Sequence, residues 1–474
     1  MNQIQKLPGL DNLPAEFRGS RLLPGTEAYG KSRAIFNMRW HKDHPSMILR
    51  PEDDDDLAII MKYVSANGVP VAIRSGAHGV DGSAMPDGQL VIDLSGFRAI
   101  SVDLETRIIT CGAGILLGDL DKASSEHGLV VPAGTVSSTG IAGLTLGGGV
   151  GYNMRRFGAT VDNLLSCKVV TTDGRKLKAS KTENSDLFWA LRGGGGNFAV
   201  VTEFTFQAHQ AGPLVGAGVV LFQLDDAKDV LTKLAVHMKT APRPLQVIAA
   251  LVPTPPMPGI PPEYYGVYML SLVCVYTGDL ALLDETIGAL TALGAPAAVA
   301  VGPAPWVAVN SMLDAAAPYG RSVHTRGGYL SALTGSAIDA AIASARHAPA
   351  PSVPGPSTVQ NIWFMGGAIS EDFAEDSVAF SREGAEVFWE GVSQWDSDEE
   401  GPRFIEWADN AADALSAEMR ANGYVNLTTD RGPEWLRGLY GSAAKFQRLI
   451  EAKTKWDQQN LLRFNKNIKP ASGG

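Results

Sequence analysis

One histidine, His78, sits among three glycines in RSGAHGVDGS, residues 74–83, with no cysteine or second histidine in the loop. An imidazole can be a nucleophile, a proton carrier or a metal ligand. The surroundings argue against the last, because a metal needs further ligands close in space. His41 and His44 stand at metal-like i, i+3 spacing but have no third ligand nearby, and read as structural. Cys111, Cys167 and Cys274 are far apart and form no C-x-x-C pair, so neither a zinc site nor a disulfide framework is expected. No metal is expected, and a reducing, cytoplasmic setting fits.

Two more small-residue loops accompany the first, at residues 131–151 and 193–197. Neither carries the lysine of a nucleotide-binding P-loop. A G-x-G-x-x-A pattern occurs at Gly194, Gly196 and Ala199, but it leads into a strand, whereas a Rossmann dinucleotide loop opens a helix. Taken singly, each loop reads as tight turns. Together they suit a large planar ligand with a pyrophosphate, held by backbone N–H groups that only small residues leave accessible.

These loops need elements to position them. DDDDLAIIMKYVSANG predicts a helix over 53–68, with acids at its N-terminus, Leu57, Ile60, Met61 and Val64 on one face, and Gly68 at its end. VPVAIRS, QLVIDL, AISVD and RIITCGAG predict short strands, and a second helix covers about 116–127. Consecutive strands without intervening helices favour α+β over a doubly wound parallel sheet. Residues 131–158 are too glycine-rich to hold a helix and read as loop. CKVVTTDGRKLKAS is a hairpin turning at Asp173-Gly174, SDLFWALRG a short helix and NFAVVTEFTFQAH a strand.

Beyond residue 212 the texture changes. YGVYMLSLVCVYTG, SVHTRGGYLSAL and VQNIWFMGGAI are candidate strands of one antiparallel sheet, preceded by the proline-rich VPTPPMPGIPPEYYG. The tail holds a helix over about 441–456. With 474 residues, more than one domain is expected, and a net charge of −10 argues against a nucleic-acid surface. The N-terminal MNQIQKLPGLDNLPAEFRG lacks the form of a secretory signal, and the apolar GALTALGAPAAVAVGPAPWVAV is interrupted by proline and glycine, so no membrane span is expected.

The ordered motifs R-S-G-A-H, V-I-D-L-S, P-A-G-T, T-L-G-G-G-V-G, R-R-F-G, T-T-D-G and D-L-F-W-A-L-R-G-G-G-G-N-F carry a family resemblance. The tail adds Y-V-N, K-x-K-W-D and N-L-L-R-F-N-x-N-I. The chain resembles the berberine bridge enzyme group of FAD-linked oxidases, within the vanillyl-alcohol oxidase and p-cresol methylhydroxylase superfamily. The likeness covers about residues 35–210 and 424–470; the middle resembles the family in position and length only.

That resemblance implies an α+β protein with a two-part FAD domain of the p-cresol methylhydroxylase type, residues 1–212 and 412–474, and an inserted antiparallel-sheet substrate domain, 213–411. It implies that His78 is joined to the flavin 8α-methyl carbon. Val136 stands where doubly linked relatives carry cysteine, so a single link is expected. The usual G-G-H-S is here Gly76-Ala77-His78-Gly79. The implied FAD cradle takes Arg74, Ser75, Gly76, Ala77, His78, Gly79, Gly82 and Ser83 from the first loop. Pro132, Gly134, Thr135, Ser138, Thr139, Gly140, Gly143, Leu144, Gly149 and Gly151 come from the second. Asn197 and Val201 follow the third, and Tyr424, Asn426 and Asn465 return from the tail.

The implied activity is transfer of hydride from an alcohol or amine carbon of a small molecule to flavin, then reoxidation by O2 with formation of H2O2. Alternatives are an oxygenating or cyclising biosynthetic flavoenzyme, and a flavin-binding scaffold with little turnover. Tyr424 is the first candidate for proton removal, with Tyr152 and Asn361 as further site residues and Thr139 placed to gate oxygen. Some relatives have a carboxylate on the strand near Asn361, whereas Gln360 and Asn361 here cannot act as bases, and Leu427 replaces a second tail tyrosine. Arg321, His324 and Arg326 are candidates to orient substrate; Trp306, Tyr329, Trp363 and Phe364 read either as an aromatic binding surface or as core. Substrate identity and oligomeric state do not follow from the sequence.

Overall fold

The computed structural model describes residues 13–352, 355–429 and 432–471; the first part of the N-terminal stretch read for targeting lies outside them. The fold is mixed helix and sheet, as expected. Its first sheet places Ser20–Leu22, Met47–Arg50, Leu90–Asp93 and Val71–Arg74 side by side. The last three run parallel, and the helix Asp54–Asn67 connects Met47–Arg50 to Val71–Arg74. Asp53 accepts the N–H groups of Asp55 and Asp56, and left-handed Gly68 ends this helix. A five-stranded antiparallel sheet follows in the order Ile100–Asp103, Ile108–Gly112, Val200–Gln207, Leu164–Val170, Lys176–Ser180. Its last two strands form the hairpin expected at Asp173-Gly174.

The glycine-rich segment departs from its reading as loop. It contains two short helices, Ile141–Leu146 and Met154–Phe157. Apart from Gly143 and Gly158, its glycines stand at 134, 140, 147, 148, 149 and 151, leaving IAGLTL and MRRF with enough side chains for short helices.

The middle of the chain forms one antiparallel seven-stranded sheet. Its order is Ala298–Pro305, Leu214–Gln223, Tyr268–Tyr276, Leu245–Pro253, Thr358–Phe364, Val387–Trp395, Ser322–Leu330. All three candidate strands belong to it. The helices Ala227–Met238, Gly335–Arg346 and Gly401–Ala414 cover one face with an apolar core. The other face looks toward the glycine loops. Part of the apolar run considered for a membrane span is the edge strand Ala298–Pro305, and no helix among the described residues is long and apolar enough to cross a membrane.

The tail helix Ala443–Trp456 begins where Ser442 accepts the Lys445 N–H. From it Lys453 reaches Asp457 Oδ2 at 2.6 Å and the Asn197 carbonyl at 2.8 Å, both side chains of the ion pair being fully buried. This ties the tail to the third glycine loop.

Candidate functional site: a cavity between glycine loops and a sheet

A cavity of about 1180 Å³ runs from the His78 loop to the seven-stranded sheet. Strand Val71–Arg74 delivers the first loop. Arg74 turns aside to pair with Asp93 at 3.0 Å and does not line the cavity. Ala77 has φ 51°, the left-handed region where a Cβ is disfavoured, which accounts for glycine in the usual motif. The next residue, His78, stacks on Phe36 with 3.9 Å between ring centroids. Burial pushes its pKa down to about 4, so the imidazole is neutral near pH 7, and its Nε2 is buried without a hydrogen-bond partner.

Ser75, Gly76, Ala77, Gly79 and Ser83 also line the cavity, but Gly82 does not: its missing side chain makes room for Trp40. Asp81 binds Ser83 at 2.7 Å and Lys466 of the tail at 3.0 Å. In the second loop Gly134, Thr135, Thr139, Gly140, Gly143 and Leu144 line the cavity. The lining residues do not include Pro132, Ser138, Gly149 or Gly151. A Cβ on Gly149 would overlap Thr160, and one on Gly151 the Ala133 carbonyl, so these two glycines serve close packing. By contrast, Gly143 and Gly196 face open space, so their missing side chains leave room for a ligand. Gly76 and Gly140 meet main chain to main chain, bringing the first two loops together.

Asn197, Val201, Asn465, Asn426 and Tyr424 also line the cavity. Asn197 donates to Gly194 O at 2.8 Å and accepts from Ile468 N at 3.0 Å, while Asn465 donates to Gly196 O at 3.3 Å. The Tyr424 oxygen accepts from Asn426 Nδ2 at 3.0 Å and from the backbone N–H groups of Val150 and Gly149. Burial still pushes its pKa up to about 12; the three donors pull the other way. Tyr152, the other candidate phenol, is buried in the core with its hydroxyl unpartnered and lies off the cavity wall.

Across the cavity, strand alternation chooses the side chains. Asn361 and Trp363 face the cavity, whereas Gln360 turns to the helices and donates to Ala341 O at 2.7 Å. Directly opposite Asn361 on the next strand stands Glu390, which the sequence reading missed. Its Oε1 accepts from Asn361 Nδ2 at 2.8 Å and Trp363 Nε1 at 3.2 Å. Its Oε2 is buried with no partner, and burial raises its pKa. The site therefore has a sheet carboxylate, supplied by the strand paired with Thr358–Phe364. The available signal was one glutamate in the apolar, alternating VFWEGVSQW.

The remaining candidates on the sheet point elsewhere. His324 and Arg326 share Asp409 on the far face, at 2.9 and 2.5 Å, while Val323 and Thr325 take the cavity positions. Arg321 pairs with Asp396 at 2.9 Å. Trp306 donates to Asp121 at 2.9 Å, and neither it, Tyr329 nor Phe364 lines the cavity.

Comparison with known proteins fits this geometry. Residues 45–180 match the family described as FAD binding domain, and 423–469 the one described as berberine and berberine like. An FAD-linked oxidoreductase of Dictyostelium discoideum is 30% identical over 452 residues, covering 94% of this chain and 93% of its own. The chain belongs to the berberine bridge enzyme-like family of FAD-linked oxidoreductases. Within that family, (R)-6-hydroxynicotine oxidase of Paenarthrobacter nicotinovorans is 32% identical over 234 residues, 48% of this chain and 51% of its own. The fold is shared with 6-hydroxy-D-nicotine oxidase from Arthrobacter nicotinovorans, with TM-score 0.84, 24% identity and coverage of 97% and 100%. Xylooligosaccharide oxidase from Myceliophthora thermophila C1 also has TM-score 0.84, with 21% identity and coverage of 98% and 99%.

The FAD-linked family member described here has room for its cofactor. Ordinary ligand pockets measure roughly 300–1,000 Å³, so 1180 Å³ accommodates a large ligand with space beside it. The orphaned His78 nitrogen and the side-chain-free surfaces of Gly143 and Gly196 fit a bulky group laid against the loops.

Proposed function

We propose that the chain is a flavin oxidase that carries FAD through a single covalent link at His78 and oxidises a small-molecule alcohol or amine. The observation that carries this reading is the convergence of His78, Tyr424 and Glu390 on one cavity. Bound there, FAD supplies a hydride acceptor that O2 can reoxidise with release of H2O2.

The protein contributes placement and proton handling. His78 is neutral and its Nε2 is unpartnered, which suits attachment through a ring nitrogen, and Phe36 stacks on its ring. Val136 lines the cavity where a second link would need cysteine. Asn426 and two backbone N–H groups donate to the Tyr424 oxygen and so favour its ionised form, partly offsetting the burial that raises its pKa. Glu390, with one oxygen fixed by Asn361 and Trp363 and the other free, favours a catalytic site over a cofactor-holding scaffold.

Two measurements on the holoenzyme test the proposal. Acid-precipitated protein should remain yellow and yield a single flavin peptide containing His78; a colourless pellet refutes the link. Flavin reduced anaerobically by substrate should reoxidise in air within seconds with one H2O2 per flavin, and reoxidation by quinones or dyes alone refutes the oxidase assignment.

A further inference from the structure

The sheet side of the cavity is chemically one-sided. Val219, Leu221, Ile248, Val273 and Val392 make much of it aliphatic, Ser271, Thr325, Asn361 and Gln394 add neutral polar groups, and Glu390 is its only charged group among the described residues. The other charges lining the cavity, Asp81 and Lys466, are paired with each other at 3.0 Å near the first loop. No arginine or lysine on the sheet side can answer Glu390 among the described residues. Its neutral donors, Asn361 and Trp363, use Oε1 only. Glu390 lines the cavity, and its Oε2 remains buried with no partner.

An isolated carboxylate in an apolar wall is costly unless a cation or strong donor meets it. A carboxylate ligand would meet like charge here. A polyol would find partners in Ser271, Thr325 and Gln394 but would bring Glu390 no counter-charge. An alkylammonium group supplies both the missing charge and the missing donor, and its hydrocarbon part suits the aliphatic wall.

The geometry points to an amine as the substrate of this cavity, with its nitrogen bound by Glu390 Oε2 and an apolar body against the sheet. This inference rests on the oxidase reading for its chemistry but concerns recognition. Glu390 takes one proton from the substrate ammonium and frees the nitrogen lone pair. The adjacent C–H hydrogen then leaves with its electron pair to the flavin, a C=N bond forms, and O2 accepts the two electrons as H2O2. Water hydrolyses the C=N product. In balance, one alkylammonium ion, one O2 and one water give one carbonyl compound, one ammonium ion and one H2O2.

The test compares ligands of one body on the oxidised holoenzyme: 3-phenylpropylamine, 3-phenylpropan-1-ol and 3-phenylpropanoate. Cumylamine, which has no α-hydrogen and cannot be oxidised, is the binding-only control. Dissociation constants come from calorimetry and from perturbation of the flavin absorbance; anaerobic bleaching reports turnover separately. Both amines should bind about tenfold more tightly than the alcohol, and the carboxylate more weakly still. Glu390→Gln should erase the amine preference while leaving alcohol binding within about threefold; Glu390→Asp should restore part of it. Equal binding of amine and alcohol, no binding by either amine, or a preference that survives Glu390→Gln overturns the inference; the wild-type comparison decides it even if the variant fails to fold. An amine preference without bleaching would count against the oxidase reading alone. Bleaching by the alcohol without an amine preference would count against this inference alone.

Discussion

The two sides of the cavity are built on opposite plans. On the loop side, main chain does most of the shaping: Gly76 touches Gly140 backbone to backbone, and Gly143 and Gly196 leave open space. On the sheet side, an ordinary antiparallel ladder presents whichever residues alternate inward, and chemistry depends on side chains such as Asn361, Trp363 and Glu390. A backbone-built wall tolerates few substitutions but can hold the same large ligand throughout a family. The side-chain-built wall can change its ligand by one residue while its hydrogen-bond ladder stays intact. On the proposed function, retention of cofactor and choice of substrate thus fall to different walls.

The separation can be broken most severely at Gly76. A valine there must push apart the first two loops, so Gly76→Val should abolish flavin incorporation, read as the loss of yellow flavin absorbance per protein. Tyr424→Phe tests the group between the two sides. It should slow anaerobic flavin reduction by about one hundredfold while flavin content stays unchanged; equal rates would remove Tyr424 from proton transfer.

Asp121 probes the joint between the halves. It is buried beneath Trp306 and Asn310, and burial raises its pKa to about 6. The unfolded chain releases this proton at lower pH than the folded one, so stability should fall as pH rises from about 4 to 6 and then level, by roughly 3 kcal/mol from this residue. Asp121→Asn should flatten that slope in denaturant titrations. Asn310 Oδ1, buried without a partner, can turn to accept from the new amide.

A smaller effect is expected at Thr139, which lines the loop side. Thr139→Leu should slow reoxidation in air by about tenfold and affect flavin reduction less, if the small side chain keeps a path for oxygen. Least of all should change in Tyr152→Phe. Its hydroxyl is buried and unpaired, so removal should leave reduction rates within about twofold and stability equal or slightly higher.

The two construction plans also govern what could be read from sequence. Tight main-chain contacts leave local signatures, so the His78 loop and the family's flavin domain are legible in the order of residues alone. The Asp53 cap and Gly68 stop likewise place their helix closely. On the sheet, a residue's side depends on pairings between distant segments. Asn361 meets Glu390 across two strands, and nothing local to either announces the register. His324 and Arg326 have suitable chemistry but the wrong parity, and end on the helix-covered face with Asp409. Gly82, Gly149 and Gly151 show the converse error: a glycine signals close approach without saying whether a ligand or the protein itself approaches.

The tail anchor has a consequence for how the molecule comes into being. Tyr424, Asn426 and Asn465 complete a cavity whose first loop is about 350 residues earlier, and Lys453 fastens that return by binding Asp457 and the Asn197 carbonyl. During synthesis the amino-terminal sheets can assemble while the ribosome is still adding the middle sheet. The wall is complete only when Asn465 and Lys466 have joined it, and Ile468 N is held by Asn197 just beyond them. A chain that lacks this returning segment therefore lacks part of the cavity wall.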